Sequence, residues 1–293
     1  QVLSPKQPRW LEVPLPRAVK DWLLELRDKF TNASKVELPT GEHTPQVAID
    51  IFYSYHNTEG DAKKIKERIA QADIIIPEMF GWTPNVLEAY NSVSQGAMTP
   101  EESLQKIKTE QSSDFERRFL EGIYNSHKPV ILIDVPDDDP LAEKVRMREP
   151  EIDSMHMSFE DTLISIKLGL SKFSRLIKER EDYMLSHMQN AIKQALANNP
   201  LLKQKDVVHI FMQLGAYHTR MFQVLEKSGH TVSRAFNTHP FVYGLEAEGL
   251  RRAAFGKEID DVLASRILLE TFLKKNFAAY ILKVPLQKLT GDS

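Results

Sequence analysis

The sequence contains no cysteine among its 293 residues. It therefore excludes disulfide bonds, thiolate metal sites and a cysteine nucleophile. It also lacks a basic excess, because 38 Lys and Arg residues stand against 41 Asp and Glu residues. A clustered basic excess is the usual footprint of nucleic-acid binding, so we expect no nucleic-acid partner. No apolar run approaches the roughly 20 residues of a membrane span, so we expect no membrane span.

Four common catalytic signatures are also missing. The chain has no HExxH zincin helix, no GxSxG nucleophile elbow, no GxxxxGK[ST] phosphate loop and no GxGxxG turn. Their absence disfavours thermolysin-like proteases, α/β-hydrolases, P-loop enzymes and Rossmann-type dinucleotide enzymes.

What is present is an ordinary globular composition, with 42 % hydrophobic and 27 % charged residues. A chain of this length buries about three-quarters of its unfolded surface, so it needs no metal merely to fold. Because the first residue is Gln1 rather than Met, we expect a processed or trimmed product, from which any targeting segment would be missing. We expect a soluble, cytoplasmic protein, although neither compartment nor oligomeric state can be read from the sequence.

Short apolar runs alternate with helical segments along the chain. Near-continuous apolar runs are typical of parallel strands covered on both faces. The helical segments include residues 61–71, with Ile65 and Ile69 on one face, and residues 112–126. The alternation predicts an α/β fold with a mainly parallel sheet flanked by helices. The predicted strands are Val47–Tyr55, Asp73–Pro77, Pro129–Val135, Val207–Leu214 and Thr231–Phe236.

A large helical addition interrupts the predicted sheet. Residues 158–198 have a helical pattern for about forty residues, and a break is expected near Gly169. Residues 18–30 and 258–280 are further predicted helices. We divide the chain into an N-terminal arm and helix (1–40), a first half of the α/β core (41–140), a helical insertion or cap (141–200) and a second half of the core with C-terminal helices (201–293).

Polar residues follow the ends of the predicted strands, where open parallel sheets bind their ligands. These residues are His56, Glu78, Asp134 and His218. Two imidazoles and one or two carboxylates can ligate a divalent metal, or they can form a base with an orienting carboxylate. Each residue also has a structural interpretation, as a solvated loop glutamate, a hydrogen-bonded histidine or a turn-capping aspartate.

Arg180 is a further candidate, although it lies in the charged run 178–182. Such a run is usually a solvated helix face. An inward-facing arginine would pair with a carboxylate or bind an anionic transition state through its fork of donors. Met184, four residues on, shares its face. Phe80 and Trp82, just after Glu78, either wall an apolar pocket or simply pack.

The order strand, Tyr-His, helix, strand occurs twice, starting at Val47 and at Val207. This weak internal duplication puts His56 and His218 in equivalent positions.

Three short motifs stand in one order within residues 47–236. The first is Tyr53–His56 at a strand end, followed by a helix and a strand that ends at Glu78. The second is the R-x-x-x-M segment Arg180–Met184, and the third is the G-x-x-H segment Gly215–His218. In this order and spacing they resemble the superfamily that joins TraB/TIKI proteins, ChaN-like proteins and erythromycin esterases. The chain departs from the family pattern at Tyr53, where Gly is usual, and at Glu181, where Asp or Asn is common.

The resemblance implies an α/β sheet with helical insertions and a crevice that holds His56, Glu78 and His218, with Arg180 nearby. TIKI-like members resemble metal-dependent proteases, erythromycin esterases open a macrolide lactone, and ChaN-like members bind haem. We therefore expect a hydrolase of an ester, lactone or amide bond that acts on a small-molecule or peptide substrate. A divalent metal (Mn, Co or Zn) held by His56, Glu78 and His218 is one version of this hypothesis, and a metal-free mechanism with His56 as base is the other.

Two alternatives stay open on the same fold. One is a protein that binds haem or another flat ligand, with His56 or His218 as axial ligand. The other is a catalytically degenerate protein whose helices present a protein-binding face. The bulk of Tyr53 is expected to narrow the approach to His56, which bears on activity more than on fold. The aromatic residues expected to line a haem cleft are Tyr53, Tyr55, Tyr217 and Trp82.

Overall fold

The computed structural model describes residues 44–54, 59–107, 114–147, 157–236 and 244–281. The N-terminal arm, the helix predicted at 18–30, Tyr55 and His56 lie outside the described residues. The described residues from Thr44 onward belong to one compact unit.

The protein is an α/β structure with a four-stranded, all-parallel sheet in the described part of the chain. Its strands are β1 (Gln46–Ser54), β2 (Ile74–Pro77), β3 (Val207–Gly215) and β4 (Thr231–Phe236). The order across the sheet is β2-β3-β1-β4, so β1 and β3 are central. Four of the five predicted strands therefore form, and the predicted α/β class with a parallel sheet is confirmed.

Helices flank this sheet. In chain order the described helices are α1 (Glu59–Gln71), α2 (Pro84–Ser94), α3 (Pro100–Ile107), α4 (Asp114–Ile123), α5 (Pro140–Arg146), α6 (Phe159–Asn198), α7 (Pro200–Lys203), α8 (Thr219–Lys227), α9 (Leu245–Ala254) and α10 (Asp261–Ile281). None of these helices combines the length and the apolarity needed to cross a bilayer.

The fifth predicted strand, Pro129–Val135, is not a strand in the structure. Among the described residues its β-pairing is limited to the isolated bridges Ile75 to Val130 and Trp82 to Pro136. On the side of this segment away from β2, the Asn91 side chain binds both backbone groups of Val130. Its Oδ1 accepts from the Val130 N–H at 3.0 Å, and its Nδ2 donates to the Val130 carbonyl at 2.9 Å. A side-chain amide thus satisfies the outward backbone groups of Val130, and Pro129 and Pro136 lack the N–H that a longer ladder requires.

The two strand–helix–strand units are topologically equivalent. The β1–α1–β2 connection passes over β3, and the β3–α8–β4 connection passes over β1 in the opposite direction. Right-handed crossovers running in opposite directions must lie on opposite faces of a sheet. Accordingly, Ile65 and Ile69 of α1 pack with Phe52 on one face, while Met221 and Leu225 of α8 pack on the other.

The long helix α6 is continuous over 40 residues, so the break expected near Gly169 is absent. Its C-terminal half packs on the sheet through Met184, Met188 and Ile192. Its N-terminal half forms a separate apolar cluster with α9 and α10, in which Leu170 packs with Leu250 and Ile267. The helix therefore joins the sheet core to a helical cluster, and its middle turn reaches the carboxyl edge of the sheet.

Candidate functional site

Four charged side chains from four separate segments meet at the carboxyl ends of the strands. Glu78 directly follows β2, and His218 ends a 3-10 turn (Ala216–His218) that follows β3. Arg180 comes from the middle of α6, and Asp134 comes from the extended segment beside β2. Because all strands are parallel, their carboxyl ends lie at one edge, as the sequence-based reasoning requires.

Arg180 links two carboxylates. Its Nε and Nη2 donate to the two oxygens of Asp134 at 2.8 and 2.5 Å, which is the bidentate geometry typical of Arg–carboxylate pairs. Nη2 also donates to Oε1 of Glu78 at 2.8 Å. Burial by itself would lower the pKa of Arg180, but the two carboxylates outweigh it and raise the pKa. Arg180 therefore faces inward, and the charged run around it is not wholly a solvated face.

Asp134 is the most deeply enclosed member, since its side chain has 0 % exposure. Besides Arg180, it accepts the N–H of Val135 at 2.8 Å. The indole Nε1 of Trp82 donates to the Asp134 carbonyl at 2.7 Å, and the Phe80 ring lies 5.0 Å from the Arg180 guanidinium carbon. Phe80 and Trp82 thus cover the Arg180–Asp134 pair and strengthen it by excluding water.

Glu78 is held by β3 as well as by Arg180. Its backbone N–H donates to the Gln213 carbonyl at 2.9 Å, and its Oε2 accepts the N–H of Gly215. Its Oε1 lies 3.2 Å from Nε2 of His218. Donors on several sides fix the direction of this carboxylate into the site.

His218 lies between two carboxylates and is 2 % exposed. Nε2 faces Glu78, and Nδ1 lies 3.3 Å from Oε1 of Glu181. Burial would lower the pKa of His218, but the Glu78 charge and the hydrogen bonds to Glu181 and Glu78 raise it to about 9. At neutral pH the ring is therefore a cation with both nitrogens donating to carboxylates, so it supplies positive charge and does not accept a proton.

The sequence reasoning did not identify Glu181 and Arg220 as site residues. Oε2 of Glu181 lies 3.1 Å from Nη1 of Arg220, and Nη2 of Arg220 lies 2.5 Å from Oδ1 of Asp182. A signal for Glu181 was present, because it stands four residues after Ile177 and three before Met184, both of which are buried. Its position on this apolar stripe predicts burial for a residue that its charge alone would place in solvent.

Tyr53 lies in the sheet core and contacts the backbone of His218. Its ring is buried in the sheet core and stacks on Phe236, with the ring centroids 5.0 Å apart. Its hydroxyl donates to the His218 carbonyl at 3.1 Å. Tyr53 is therefore a buried core residue and not an exposed wall of a haem cleft. Because His56 lies outside the described residues, the narrowing of its approach by Tyr53 stays a prediction.

Three further residues, Tyr217, Tyr55 and His56, belong to the predicted site. Tyr217, predicted to bind a cofactor, is 44 % exposed on the turn before His218. Tyr55 and His56 lie outside the described residues, so their positions relative to Glu78 and His218 stay predictions.

The described residues do not by themselves form a metal site. In the part of the chain that the structure describes, no group of three or more His, Asp or Glu residues is arranged to hold an ion. The carboxylates of Glu78 and Asp134 are instead neutralised by Arg180 and His218.

Comparison with protein-family models, with curated proteins and with solved structures gives no match. The likeness to the TraB/TIKI, ChaN-like and erythromycin-esterase grouping therefore rests on the three motifs quoted above.

Proposed function

We propose that this protein is a hydrolase that cleaves an ester, lactone or amide bond at the crevice defined by Glu78, Arg180 and His218, with His56 as its base. The observation that carries the proposal is the convergence of buried charges at the carboxyl edge of a parallel sheet. Taking charges out of water is costly, and an apolar cluster of the same volume is often at least as stable. Such an arrangement in a ligand-binding position is a functional-site candidate.

The charges suggest a division of roles. His56 takes a proton from a water molecule, and the resulting hydroxide attacks the carbonyl carbon. The oxygen of the tetrahedral intermediate becomes negative, and the cationic His218 and Arg180 stabilise it. When the C–O or C–N bond breaks, the leaving group takes the proton from His56. Glu78 holds His218 and Arg180 in place throughout.

The test is an assay of the full chain purified without a chelator or a histidine tag. The substrates are p-nitrophenyl esters of increasing acyl length, a simple lactone and a peptide amide, each with and without added Mn, Co or Zn. His56→Ala is expected to lower kcat about 10²- to 10⁴-fold, the usual contribution of a general acid or base. His218→Gln is expected to lower kcat about 10²- to 10³-fold, the usual cost of losing a group that stabilises the oxyanion.

His209→Gln is the matched control, because His209 is exposed near the start of β3, the strand that leads to His218. It is expected to keep wild-type activity. Retained activity in both His56→Ala and His218→Gln would exclude the proposed mechanism, and a dependence on one added metal would favour the metal version.

Haem binding through His218 has less support, because an axial ligand must offer a ring nitrogen lone pair to iron. Both ring nitrogens of His218 face carboxylates instead. A Soret change on haem titration that is lost in His218→Gln would reinstate that alternative. A chain inactive on every substrate and silent to haem would favour the interaction protein.

A further inference from the structure

Glu181 is a buried acid that contacts His218 through Nδ1, whereas Glu78 faces Nε2. Its side chain is 1 % exposed. One carboxylate oxygen faces Nδ1 of His218 at 3.3 Å, and the other faces Nη1 of Arg220 at 3.1 Å. A carboxylate so removed from water is stable only with partners of this kind.

The position of Glu181 determines which ring nitrogen of His218 faces Glu78. A carboxylate oxygen accepts hydrogen bonds and does not donate them, so the nitrogen that faces Glu181 must carry a hydrogen. With Nδ1 engaged, Nε2 is directed at Glu78. The same logic holds in catalytic triads, where a buried acid orients the imidazole without touching the substrate.

Arg220 fixes Glu181 in turn. It lies in the first turn of α8, two residues after His218, and its guanidinium reaches both Glu181 and Asp182 on α6. The pair therefore ties α6 to the helix that follows the His218 turn, which limits rotation of the carboxylate.

We propose that Glu181 is a positioning residue, which together with Arg220 holds the imidazole of His218 with Nε2 directed at Glu78. Its importance for turnover rests on the proposed hydrolytic function, whereas its effect on the ring is independent of that function.

The adjacent acid supplies a matched control. Glu181→Gln and Asp182→Asn each remove one negative charge and alter one contact of Arg220. In the structure His218 contacts Glu181, and Asp182 is 52 % exposed. Glu181→Leu removes the acceptor altogether at similar size, and Glu181→Gln keeps a carbonyl acceptor.

The first measurement is the long-range ¹H–¹⁵N spectrum of the histidine rings in the full chain, with the His218 signals assigned by their loss in His218→Gln. Wild type and Asp182→Asn are expected to give one set of ring signals with a hydrogen held on Nδ1. Glu181→Leu is expected to lose that signature, and Glu181→Gln to weaken it.

The second measurement is turnover of the best substrate. Glu181→Leu is expected to lower kcat roughly 10- to 100-fold, as loss of an orienting partner does in metal–histidine sites, with KM within about twofold. Glu181→Gln should lose less, and Asp182→Asn should lose nothing.

Three outcomes would overturn the assignment. One is a His218 ring spectrum in Glu181→Leu that equals wild type, and another is an equal effect of Asp182→Asn. If circular dichroism shows that Glu181→Leu is unfolded, an unchanged ring spectrum in Glu181→Gln is the third. If the wild type hydrolyses none of the substrates, the proposed function fails, while the ring spectra still decide the role of Glu181.

Discussion

At the scale of single residues, the proposed site is a set of charges that depend on one another. Asp134 has no exposure, and its carboxylate is balanced by Arg180. Removing one partner of such a pair typically costs about 3–5 kcal/mol, because the other charge stays buried and uncompensated. Glu78, between Arg180 and His218, couples this pair to the imidazole. Substitutions within the cluster are therefore not expected to be additive.

The raised pKa of His218 predicts a pH dependence of stability. The pKa is about 9 in the folded protein against an ordinary value of 6.5. The folded state therefore keeps a proton that the unfolded state has lost between these values. The stabilisation is complete below pH 6.5 and disappears as the pH rises through about 9, at a cost on the order of a few kcal/mol.

Urea unfolding at several pH values between 6 and 9.5 measures this change in the free energy of unfolding. His218→Gln cannot bind the proton, so most of the slope should vanish in that variant. The same slope in both proteins would show that other groups cause it.

At the scale of elements, α6 brings two cores and the site together. Buried residues follow one stripe along it at spacings of three and four, including Ser174, Ile177, Glu181, Met184 and Met188. Apolar residues continue the stripe on both sides of the charged turn. Their packing holds Glu181 at the carboxyl edge of the sheet, so the position of a functional charge depends on the apolar residues around it.

Alanine substitutions at two helical glycines are expected to differ in their effect on stability. A Cβ at Gly169 in α6 would meet no atom within 4 Å, whereas a Cβ at Gly249 in α9 would lie 2.9 Å from Leu170 and 3.0 Å from Ile267. Gly169→Ala should therefore stabilise the protein by about 0.5–1 kcal/mol, the helix-interior difference between Ala and Gly.

Gly249→Ala should stabilise the protein less than Gly169→Ala does, because the added methyl requires the Cδ1 groups of Leu170 and Ile267 to move aside. Thermal unfolding of both variants beside the wild type measures the difference. Destabilisation by Gly169→Ala would argue against a continuous α6.

At the scale of the whole molecule, the described chain has cores of unequal protection. The central strands β1 and β3 pair on both sides and are covered by apolar clusters on both faces. The cluster of α9, α10 and the first half of α6 is smaller and adjoins exposed apolar residues such as Leu168 and Phe272. Strand β4 is a half-exposed edge.

Native-state hydrogen exchange should reproduce this order. Amides of β1 and β3 are expected to exchange only through global unfolding, and amides of α9, α10 and β4 through smaller openings with lower free energy. Equal protection of α9 and β3 would show instead that both cores open as one unit.

The sequence by itself determined the elements that depend on local pattern. Three apolar runs and the predicted segment Thr231–Phe236 became parallel strands, and the long helical pattern at 158–198 became α6. The spacing of apolar residues indicates which face of an element is buried. Because the ends of parallel strands share one edge, the sequence also predicted that Glu78, Asp134 and His218 lie near one another. An inward-facing Arg180 was predicted separately to pair with a carboxylate.

Only the tertiary structure decided which residues pair. Asn91 binds the backbone of Val130 where a strand partner would, Asp134 pairs with Arg180, and Glu181 contacts the His218 ring. The partners in these pairs are 39, 46 and 37 residues apart. The physical reason is that a periodic pattern reports the face a residue occupies. The pattern does not report the charge or hydrogen-bonding group that the residue meets there, because that partner comes from a distant segment brought close by the fold.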